Sequence, residues 1–444
     1  MSYSETARSI ERGRRYLDEH PAPLSPSAGT AHLHTPPDLA GEPDILQAFA
    51  AAVCASGVCG EKRNARLIYL ALTSRLLNEP VSLAIKGASS SGKSFTMETT
   101  LKFFPTSAYV SMTAMSERAL VYMKEDFAHR TLVIFEAVAL REQREKAESN
   151  LTAYFVRSLL SEGRISYPVT VRDKQEGFIT RTIVKEGPTN VILTTTATQL
   201  HGENETRMIS LPTDDTREQT RAVMLRLADG GPSYVDFTEW RRLQEWLENA
   251  EHRVIIPYAR YLAESVPPVA VRLRRDFKAI LRLIETHAIL HQLTRERDDK
   301  GRIIASEADY LAVRELVADL IAEGVGATVP PTVRETVEAV RLLDPGEGAT
   351  VKAVAERLRL DRSATQRRIQ AARDRGYLVN LEDKRGRPAR YTPSEPMPDE
   401  LELLPRAVPA EGVQVCNDRR GENKATGSHA SSGTDSGDIE ELWL

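Results

Sequence analysis

The sequence predicts an α/β fold in which a parallel sheet with helices on both faces precedes a helical segment and a small, basic helix-turn-helix unit. Three observations lead to this prediction. A glycine-rich segment at residues 87–94 follows an apolar run and precedes a helical pattern. Short continuous apolar runs then alternate with helical patterns up to about residue 212, which is typical of buried parallel strands. Residues 216–325 are helical and amphipathic, and residues 332–395 combine short helices with basic strands.

The glycine-rich segment matches the phosphate-loop pattern G-x-x-x-x-G-K-[ST] at every position. Its glycines let several backbone N–H groups converge on one phosphate, and the N-terminus of the following helix attracts anions. Lys93 is expected to reach the β- and γ-phosphates, and Ser94 is expected to hold Mg²⁺. The alternative is a Gly/Ser-rich surface loop that matches by chance. The residues predicted to bind ATP are Gly87, Ala88, Ser89, Ser90, Ser91, Gly92, Lys93, Ser94 and Phe95.

Two later strand ends carry polar residues that are expected near the nucleotide. Glu136 follows the apolar run at residues 132–135, in a strand that we expect beside the phosphate-loop strand. Many such sites have an aspartate where this chain has Phe135, so Glu136 alone is expected to act as base, as a metal partner through water, or as both. The strand that begins at residue 190 ends in Thr194, Thr195 and Thr196. Because side chains alternate along a strand, only one or two of these threonines can face the nucleotide, and Thr195 is predicted to contact the γ-phosphate. The alternatives are a capping acid and ordinary strand-end threonines.

A hairpin and an arginine loop accompany these strands. Residues 164–171 and 178–184 are β-prone and alternate, and the turn between them ends in glycine, so a hairpin is predicted at residues 164–185. Its exposed side is expected to carry Arg172, Lys174, Arg181 and Lys185. Arg207 lies in a polar loop before a strand, where it could reach the γ-phosphate of a neighbouring subunit. A solvated hairpin and an ordinary surface arginine are the alternatives.

Residues 330–395 are predicted to form a winged helix. Residues 351–358 and 364–375 read as two helices joined by a tight turn, with Ser363 as the cap and Gly376 as the terminator of the second. Residues 349–395 hold twelve Lys and Arg residues against six Asp and Glu residues. DNA contact is therefore predicted, with protein contact as the alternative. The predicted DNA-contacting residues are Gln366, Arg367, Gln370 and Arg373 on the helix, and Lys384, Arg385 and Arg387 on the wing.

Composition restricts the remaining possibilities. The net charge of −4 over 444 residues names no partner by itself. Three cysteines form no disulfide framework or zinc pattern, and no run of about 18 apolar residues exists, so a reduced, cytoplasmic protein without a membrane span is expected. Residues 1–43 read as a flexible leader, residues 44–80 as helices that lead into the core, and residues 396–444 as a disordered acidic tail.

In the order of these motifs the chain resembles an AAA+ ATPase of the pre-sensor-1 hairpin clade. It is similar in layout to the minichromosome maintenance helicases and to related phage and plasmid replicative helicases. The segment Glu162-Gly163-Arg164-Ile165-Ser166 is similar to the family segment before the hairpin, and Thr206-Arg207-Met208 corresponds to its Ser-Arg-Phe arginine finger. Residues 275–283 resemble the sensor-2 helix, which makes Arg275 the sensor arginine. The resemblance covers roughly residues 45–325, and Phe135 departs from it.

The resemblance implies an AAA+ core at residues 81–215, a helical lid at residues 216–329 and an ATP-hydrolysing ring whose hairpins move along DNA. It implies that Arg172, Lys174 and Arg181 contact DNA phosphates. The implied function is a replicative DNA helicase of a phage, plasmid or integrated mobile element, working with a separate primase. The implied catalytic set is Lys93, Glu136, Thr195, Arg207 and Arg275, with Ser94 and Glu136 at the metal. An ATP-gated initiator or transcriptional regulator that binds DNA without unwinding it is the alternative.

Overall fold

The computed structural model describes residues 35–113, 115–136, 151–173, 177–197, 202–326, 329–344, 346–382, 384, 387–397 and 402–408. Residues 1–34 of the predicted leader lie outside the described residues, as do Lys174, Arg385 and residues 409–444. The prediction of a flexible leader up to residue 43 is wrong for its last part, because residues 38–41 form a short 3-10 helix and Ala40 is buried in the core. The first half of the chain forms α1 (Ile45–Ala55), α2 (Lys62–Thr73), β1 (Leu83–Lys86), α3 (Lys93–Leu101), β2 (Tyr109–Met112), α4 (Ala119–Tyr122), β3 (Arg130–Ile134), α5 (Leu151–Glu162), β4 (Arg164–Asp173), β5 (Gly177–Glu186), β6 (Thr189–Thr195), α6 (Gly202–Glu205) and β7 (Ile209–Pro212).

The second half of the chain is mainly helical until its last short strands. It forms α7 (Arg217–Ala228), α8 (Thr238–Glu248), β8 (Val254–Ile255), α9 (Ala259–Ser265), α10 (Leu273–Leu290), β9 (Ile303–Ile304), α11 (Glu307–Gly326), α12 (Pro331–Leu343), β10 (Ala349–Thr350), α13 (Val351–Leu358), α14 (Arg362–Arg373), β11 (Leu378–Asn380) and β12 (Arg390–Pro393). Within the described ranges, no single helix is long and apolar enough to cross a membrane; α11 and α12 pass that test only together, with a bend of 88° between them.

A five-stranded parallel sheet forms the centre of the molecule, in the order β2-β3-β6-β1-β7. Its strands are short and apolar because both faces are covered, as is usual for parallel sheets. Along β3, Leu132 and Ile134 pack on one face, whereas Val133 packs on the other. The prediction that the acid-ended strand lies beside the phosphate-loop strand is wrong, since β6 lies between β3 and β1. Strand order depends on how crossovers pack, which no local pattern encodes.

Two apolar clusters cover the sheet. The larger cluster joins one sheet face to helices α1, α2, α8, α10 and α11, and the smaller cluster joins the other face to α5 and the base of the β4–β5 hairpin. A third cluster lies within residues 329–397, where helices α12, α13 and α14 pack on the antiparallel sheet β10-β12-β11. The C-terminal unit therefore has its own core. Its helix α14 is capped by Asp361, which accepts hydrogen bonds from the backbone N–H groups of Ser363 and Ala364, so the prediction of Ser363 as the cap is wrong.

A short return segment corrects the prediction that the chain is disordered from residue 396 onward. Leu403, Leu404 and Val408 are buried in the larger cluster, next to α11. The hydroxyl of Tyr310 donates to the carbonyl oxygen of Pro405, and Arg314 pairs with Glu402. Residues 402–408, which follow the C-terminal unit along the chain, therefore pack back against the part that contains the parallel sheet. The sequence pattern misses this segment because three apolar residues among acids and prolines show no helical or strand period.

Candidate functional site

The phosphate loop connects the C-terminal end of β1 to the first turn of α3. Ser90 and Gly92 adopt positive φ angles of 67° and 84°, which curl the backbone back on itself. Gly87 is constrained by space, because a Cβ atom there would lie 1.9 Å from Oγ1 of Thr213. The Thr213 hydroxyl is also 2.8 Å from the Ser91 hydroxyl, which ties the loop to the segment after β7. The residues of the predicted motif thus form a compact loop at the N-terminus of a helix, where anions are favoured.

Lys93 lies under this loop and is 4% exposed. Its ammonium group donates hydrogen bonds to the carbonyl oxygens of Gly87, at 3.0 Å, and Ala88, at 2.6 Å. Both partners are neutral carbonyls rather than carboxylates, so an incoming phosphate would not have to displace an acidic side chain. Ser94 is partly exposed beside it, and the Phe95 ring is 47% exposed, next to the loop at Gly57.

The end of β6 brings Glu136 to the phosphate loop. The Thr195 carbonyl oxygen accepts a hydrogen bond from Gly87 N at 3.3 Å, and the Thr194 hydroxyl accepts one from Glu136 N at 3.0 Å. Glu136 has a φ of 52°, and its side chain is exposed rather than packed. A non-glycine residue with positive φ is strained by about 1 kcal/mol or more and is often found at functional sites. Thr194, which the sequence reasoning passed over, is therefore the residue that positions the backbone of Glu136.

Thr195 has a different environment from the one its predicted role requires. Its side chain is fully buried, and its hydroxyl accepts a hydrogen bond from Ala197 N at 3.0 Å. It therefore holds the strand end and the loop together, whereas Thr196 is the least buried of the three threonines. The contact between Thr195 and a γ-phosphate stays a prediction.

Position 135, where many phosphate-loop sites have an aspartate, is occupied by a phenylalanine that belongs to the core. Phe135 continues the alternation of β3 after Val133, on the same sheet face, and belongs to the larger apolar cluster. An aspartate there would be buried among apolar side chains, at a cost of several kcal/mol. Ser94 and Glu136 are thus the oxygen donors that could hold a metal at this loop. A hydroxyl and a carboxylate suit Mg²⁺, which prefers oxygen ligands and retains several waters.

A cleft of about 440 Å³ lies at the opposite end of the sheet and contains both predicted arginines. The guanidinium of Arg275 donates to the Thr206 hydroxyl at 2.6 Å, next to Arg207. Burial, together with the charges of Arg275 and Arg157, lowers the pKa of Arg207. Among the described residues, the Nε atom of Arg207 is buried without a hydrogen-bond partner. The cleft thus holds adjacent cations, and the described residues do not use up their hydrogen-bonding capacity.

This cleft is distant from the phosphate loop of the same chain. Its walls include residues 78–82, which precede β1, and Thr189 and Ile209, at which β6 and β7 begin. The phosphate loop instead follows the last residue of β1, which alone spans four residues, or about 13 Å. Arg207 and Arg275 are therefore separated from Lys93 of their own chain by at least the length of β1. The structure brings these two arginines together but separates them from the other predicted catalytic residues.

The β4–β5 hairpin has ten paired positions, and its base is firmly attached. Ile165 is buried in the smaller cluster, and the Ser158 hydroxyl donates to the carbonyl oxygen of Arg164 at 2.8 Å. Lys185 was expected on the exposed side, but its ammonium donates to the carbonyl oxygens of Met123, at 2.5 Å, and Glu125, at 3.1 Å. The prediction for Lys185 is wrong, because the base of the hairpin packs against the segment at residues 123–125 and the lysine donates hydrogen bonds to the carbonyl oxygens there. Lys185 anchors the hairpin.

The predicted DNA contacts of the hairpin lie on two faces. Arg172 is paired with Phe178, and Arg181 is paired with Val169. Directly paired residues share a face, and successive residues alternate, so Arg172 and Arg181 point to opposite sides. Both side chains are exposed, but the prediction that they share one exposed side is wrong. Lys174, predicted to accompany them, lies outside the described residues.

Helix α14 presents the predicted polar face of the C-terminal unit. Gln366, Arg367, Gln370 and Arg373 are all exposed. Two of them already have partners: the Gln370 amide donates to Asp374 at 2.6 Å, and the Arg373 guanidinium lies 5.8 Å from the Tyr391 ring centroid. The other two members, Gln366 and Arg367, lie closer to the N-terminal end of the helix.

A groove between α13, α14 and the segment before β12 adds cations that the sequence reasoning missed. It is lined by Gln366 and Arg387 from the predicted set, and also by Lys352, Arg359 and Arg362. Arg359 ends α13 with a φ of 53°, a conformation that usually favours glycine. Lys384 is exposed nearby in sequence, and Arg387 is 3.9 Å from Glu382. The turn at residues 359–362, predicted only to connect two helices, thus contributes two arginines to this groove.

A buried group of possible metal ligands lies in the helical part. The ligand atoms of His287, His291 and Asp309 lie within 4.8 Å of one another. However, Nε2 of His291 accepts a hydrogen bond from Ile45 N at 3.1 Å, and Asp309 accepts hydrogen bonds from His287 Nδ1 at 2.6 Å and from Arg295 Nε at 2.8 Å. These hydrogen bonds use the atoms that a metal would need. The group therefore joins α1, α10 and α11 as a structural network.

The network predicts an acid-sensitive fold. Burial, and secondarily the charge of His287, lowers the pKa of His291 to about 4. An unfolded histidine titrates near pH 6.5, so between pH 6.5 and 4 the unfolded chain binds more protons and stability falls as the pH falls. We expect His291 to account for a loss of about 3 kcal/mol across this window. Urea unfolding at several pH values should show this slope in the wild type and not in His291→Gln; equal slopes in both proteins would contradict the assignment.

Three comparisons place these observations among known proteins. A family model described as the MTBMA_p00010 P-loop domain matches residues 57–224. No curated protein matches the chain in sequence. Among solved structures, a full-length MCM homolog from Methanopyrus kandleri is similar with a TM-score of 0.42 and 15% identity, over 68% of this chain and 63% of that chain. The chain thus spans less than two thirds of that protein's length. The chain contains a P-loop domain with a parallel central sheet.

Proposed function

We propose that this protein is an ATP-driven motor on DNA, in which ATP is hydrolysed between copies of the chain. One observation carries this proposal: the phosphate loop and the Arg207–Arg275 cleft lie at opposite ends of the same sheet. A nucleotide on Lys93 of one copy can meet these arginines only if a second copy supplies them. A closed ring with one repeated head-to-tail contact satisfies every copy in this way.

In such a shared site, each of the residues around the nucleotide has a defined role. Lys93 binds the β- and γ-phosphates, and Ser94 and Glu136 hold Mg²⁺, which neutralises phosphate charge when bound. The Glu136 carboxylate, exposed beside the loop, orients the attacking water. Arg207 and Arg275 stabilise the negative charge that develops on the transferred phosphoryl group. Hydrolysis then depends on the contact between copies, which is a requirement for coupling it to movement.

The hairpin and the C-terminal unit support DNA as the partner. The hairpin is attached at its base and carries exposed arginines toward its tip, so phosphate contacts made there would be independent of sequence. Three helices on a three-stranded antiparallel sheet, with α14 exposed and basic, support a winged helix at residues 330–395.

We assign residues 81–215 to an AAA+ core and residues 216–329 to a helical lid. The order of the motifs supports a replicative helicase of a phage, plasmid or mobile element.

An ATP-gated initiator or regulator is the second candidate. It is favoured by Phe135, whose burial in the core leaves Glu136 as the single acid after β3. Slow hydrolysis would suit a protein that assembles on DNA but does not travel along it. The hairpin argues for the motor, because a regulator of this kind needs only the C-terminal unit to bind DNA.

The two candidates differ in how DNA affects hydrolysis. We expect single-stranded DNA to raise ATP hydrolysis by the wild type, and we expect Arg172→Ala to remove most of that increase while leaving basal hydrolysis unchanged. The measurement is steady-state phosphate release with and without a long oligonucleotide. Arg341→Ala, an exposed arginine on α12, is the matched control. Hydrolysis that is indifferent to single-stranded DNA, with duplex binding intact, would contradict the motor and favour the regulator.

A further inference from the structure

The tip of the hairpin carries an exposed aromatic residue that the proposed function has not used. Phe178 is 79% exposed at the second position of β5. It lies directly across from Arg172, so the ring and the guanidinium share one face with Cβ atoms about 5 Å apart. Among the large apolar side chains of the described residues only Tyr234 is more exposed, and at the end of a projecting element the Phe178 ring is open to a partner.

The face that holds this pair is suited to a nucleic acid strand. Between residues 166–172 and 178–184 it carries no carboxylate; the carboxylate of Glu186 lies on this face at the base of the hairpin, paired with Arg164. The side chains that share this face are Ser166, Pro168, Thr170, Arg172, Phe178, Thr180, Thr182 and Val184. The opposite face packs toward the protein at its base through Ile165 and the half-buried Tyr167 and Ile183. Toward its tip the free face therefore offers hydroxyls, one cation and one aromatic ring, and its carboxylate at Glu186 lies at the far end, opposite Arg164.

We infer that Phe178 stacks on a base of single-stranded DNA while Arg172 pairs with an adjacent phosphate. An aromatic face accepts any base, and a neighbouring cation holds the backbone, which is the usual basis of sequence-tolerant binding of single strands. In a duplex the base faces are covered by their neighbours, so this pair distinguishes a single strand from a duplex. This inference rests on the proposed function, because it assigns base contact to a hairpin already proposed to contact phosphates.

The test measures the binding of two single-stranded oligonucleotides of equal length and charge. One consists of thymidine nucleotides, and the other has the same sugar–phosphate backbone without bases. We expect Phe178→Ala to weaken binding of the thymidine strand by about tenfold and to leave the abasic strand unchanged. Phe178→Trp should retain binding, and its added indole fluorescence should be quenched by the thymidine strand alone. Val184→Ala, on the same face near the base and 45% exposed, is the control expected to change neither. All variants are full-length, so binding by the C-terminal unit is common to them.

The outcomes separate this inference from the proposed function. If Arg172→Ala weakens binding of both strands but Phe178→Ala weakens neither, the hairpin contacts phosphate only, and the stacking inference is overturned while the motor stands. If neither substitution changes binding, both proposals fail. If Phe178→Ala instead lowers the mass of the assembly without DNA, as measured by light scattering, the ring contacts a second copy of the chain, and stacking is likewise overturned. Thermal unfolding of each variant verifies that the exposed substitutions leave the fold intact.

Discussion

ATP hydrolysis is expected to fall by at least about 100-fold when Lys93 is replaced by alanine, with nucleotide affinity reduced as well. The ammonium is the one cation placed inside the phosphate loop, held at 3.0 and 2.6 Å from two loop carbonyls. Its removal takes away the charge that offsets the β- and γ-phosphates and leaves those carbonyls facing phosphate oxygens. Phosphate release, together with equilibrium binding of a fluorescent ATP analogue, measures both effects.

Two companion variants make this result specific. Lys102→Ala removes an exposed lysine beyond the far end of the same helix and should behave as wild type. Glu136→Gln should retain nucleotide binding while hydrolysis falls, because the amide preserves the shape of the side chain but neither accepts a proton nor carries the charge that orients water. If Lys93→Ala hydrolyses ATP normally, the loop is not a nucleotide site. If Glu136→Gln does, another group activates the water.

The features that could be predicted from the sequence are those with a local cause. The phosphate loop is one, because glycines, the lysine and the helix N-terminus lie within eight consecutive residues and their geometry follows from backbone sterics. The class of the sheet is another, since short apolar runs between helical patterns are the direct result of burying both strand faces. The bounds of α13 at residues 351–358 are a third, because a capping threonine and a helical apolar spacing define them.

The features that could not be predicted depend on contacts between distant residues. The insertion of β6 between β3 and β1 results from crossover packing, and it makes Thr194 rather than Thr195 the side-chain partner of Glu136. The opposite orientation of Arg172 and Arg181 follows from the hairpin register, which the sequence left undetermined at the turn. Residues 402–408 are held by Tyr310 and Arg314, about 90 positions earlier, so composition alone assigned them to a disordered tail.

The separation of the cleft from the phosphate loop has a consequence that a mixing experiment can measure. Arg207→Ala and Lys93→Ala should each be inactive alone, with Arg207→Ala reduced by about 1,000-fold, because an arginine in this position stabilises transition-state charge. A mixture of the two still contains contacts in which an intact phosphate loop meets an intact Arg207. With equal amounts and random assembly, about one contact in four is complete, so hydrolysis should return to roughly a quarter of the wild-type rate.

A matched control decides whether this recovery reports shared sites. Arg274→Ala removes an exposed arginine next to Arg275 on α10 that does not line the cleft, and it should hydrolyse ATP normally. The double variant Lys93→Ala/Arg207→Ala, mixed with either single variant, forms no complete contact in any arrangement and should give no recovery. If the mixture of singles stays inactive although light scattering shows mixed assemblies, Arg207 does not act across the contact. Since Arg207 lies before β7, at the end of the sheet away from Lys93, a cleft that does not act across the contact would instead serve assembly of the copies.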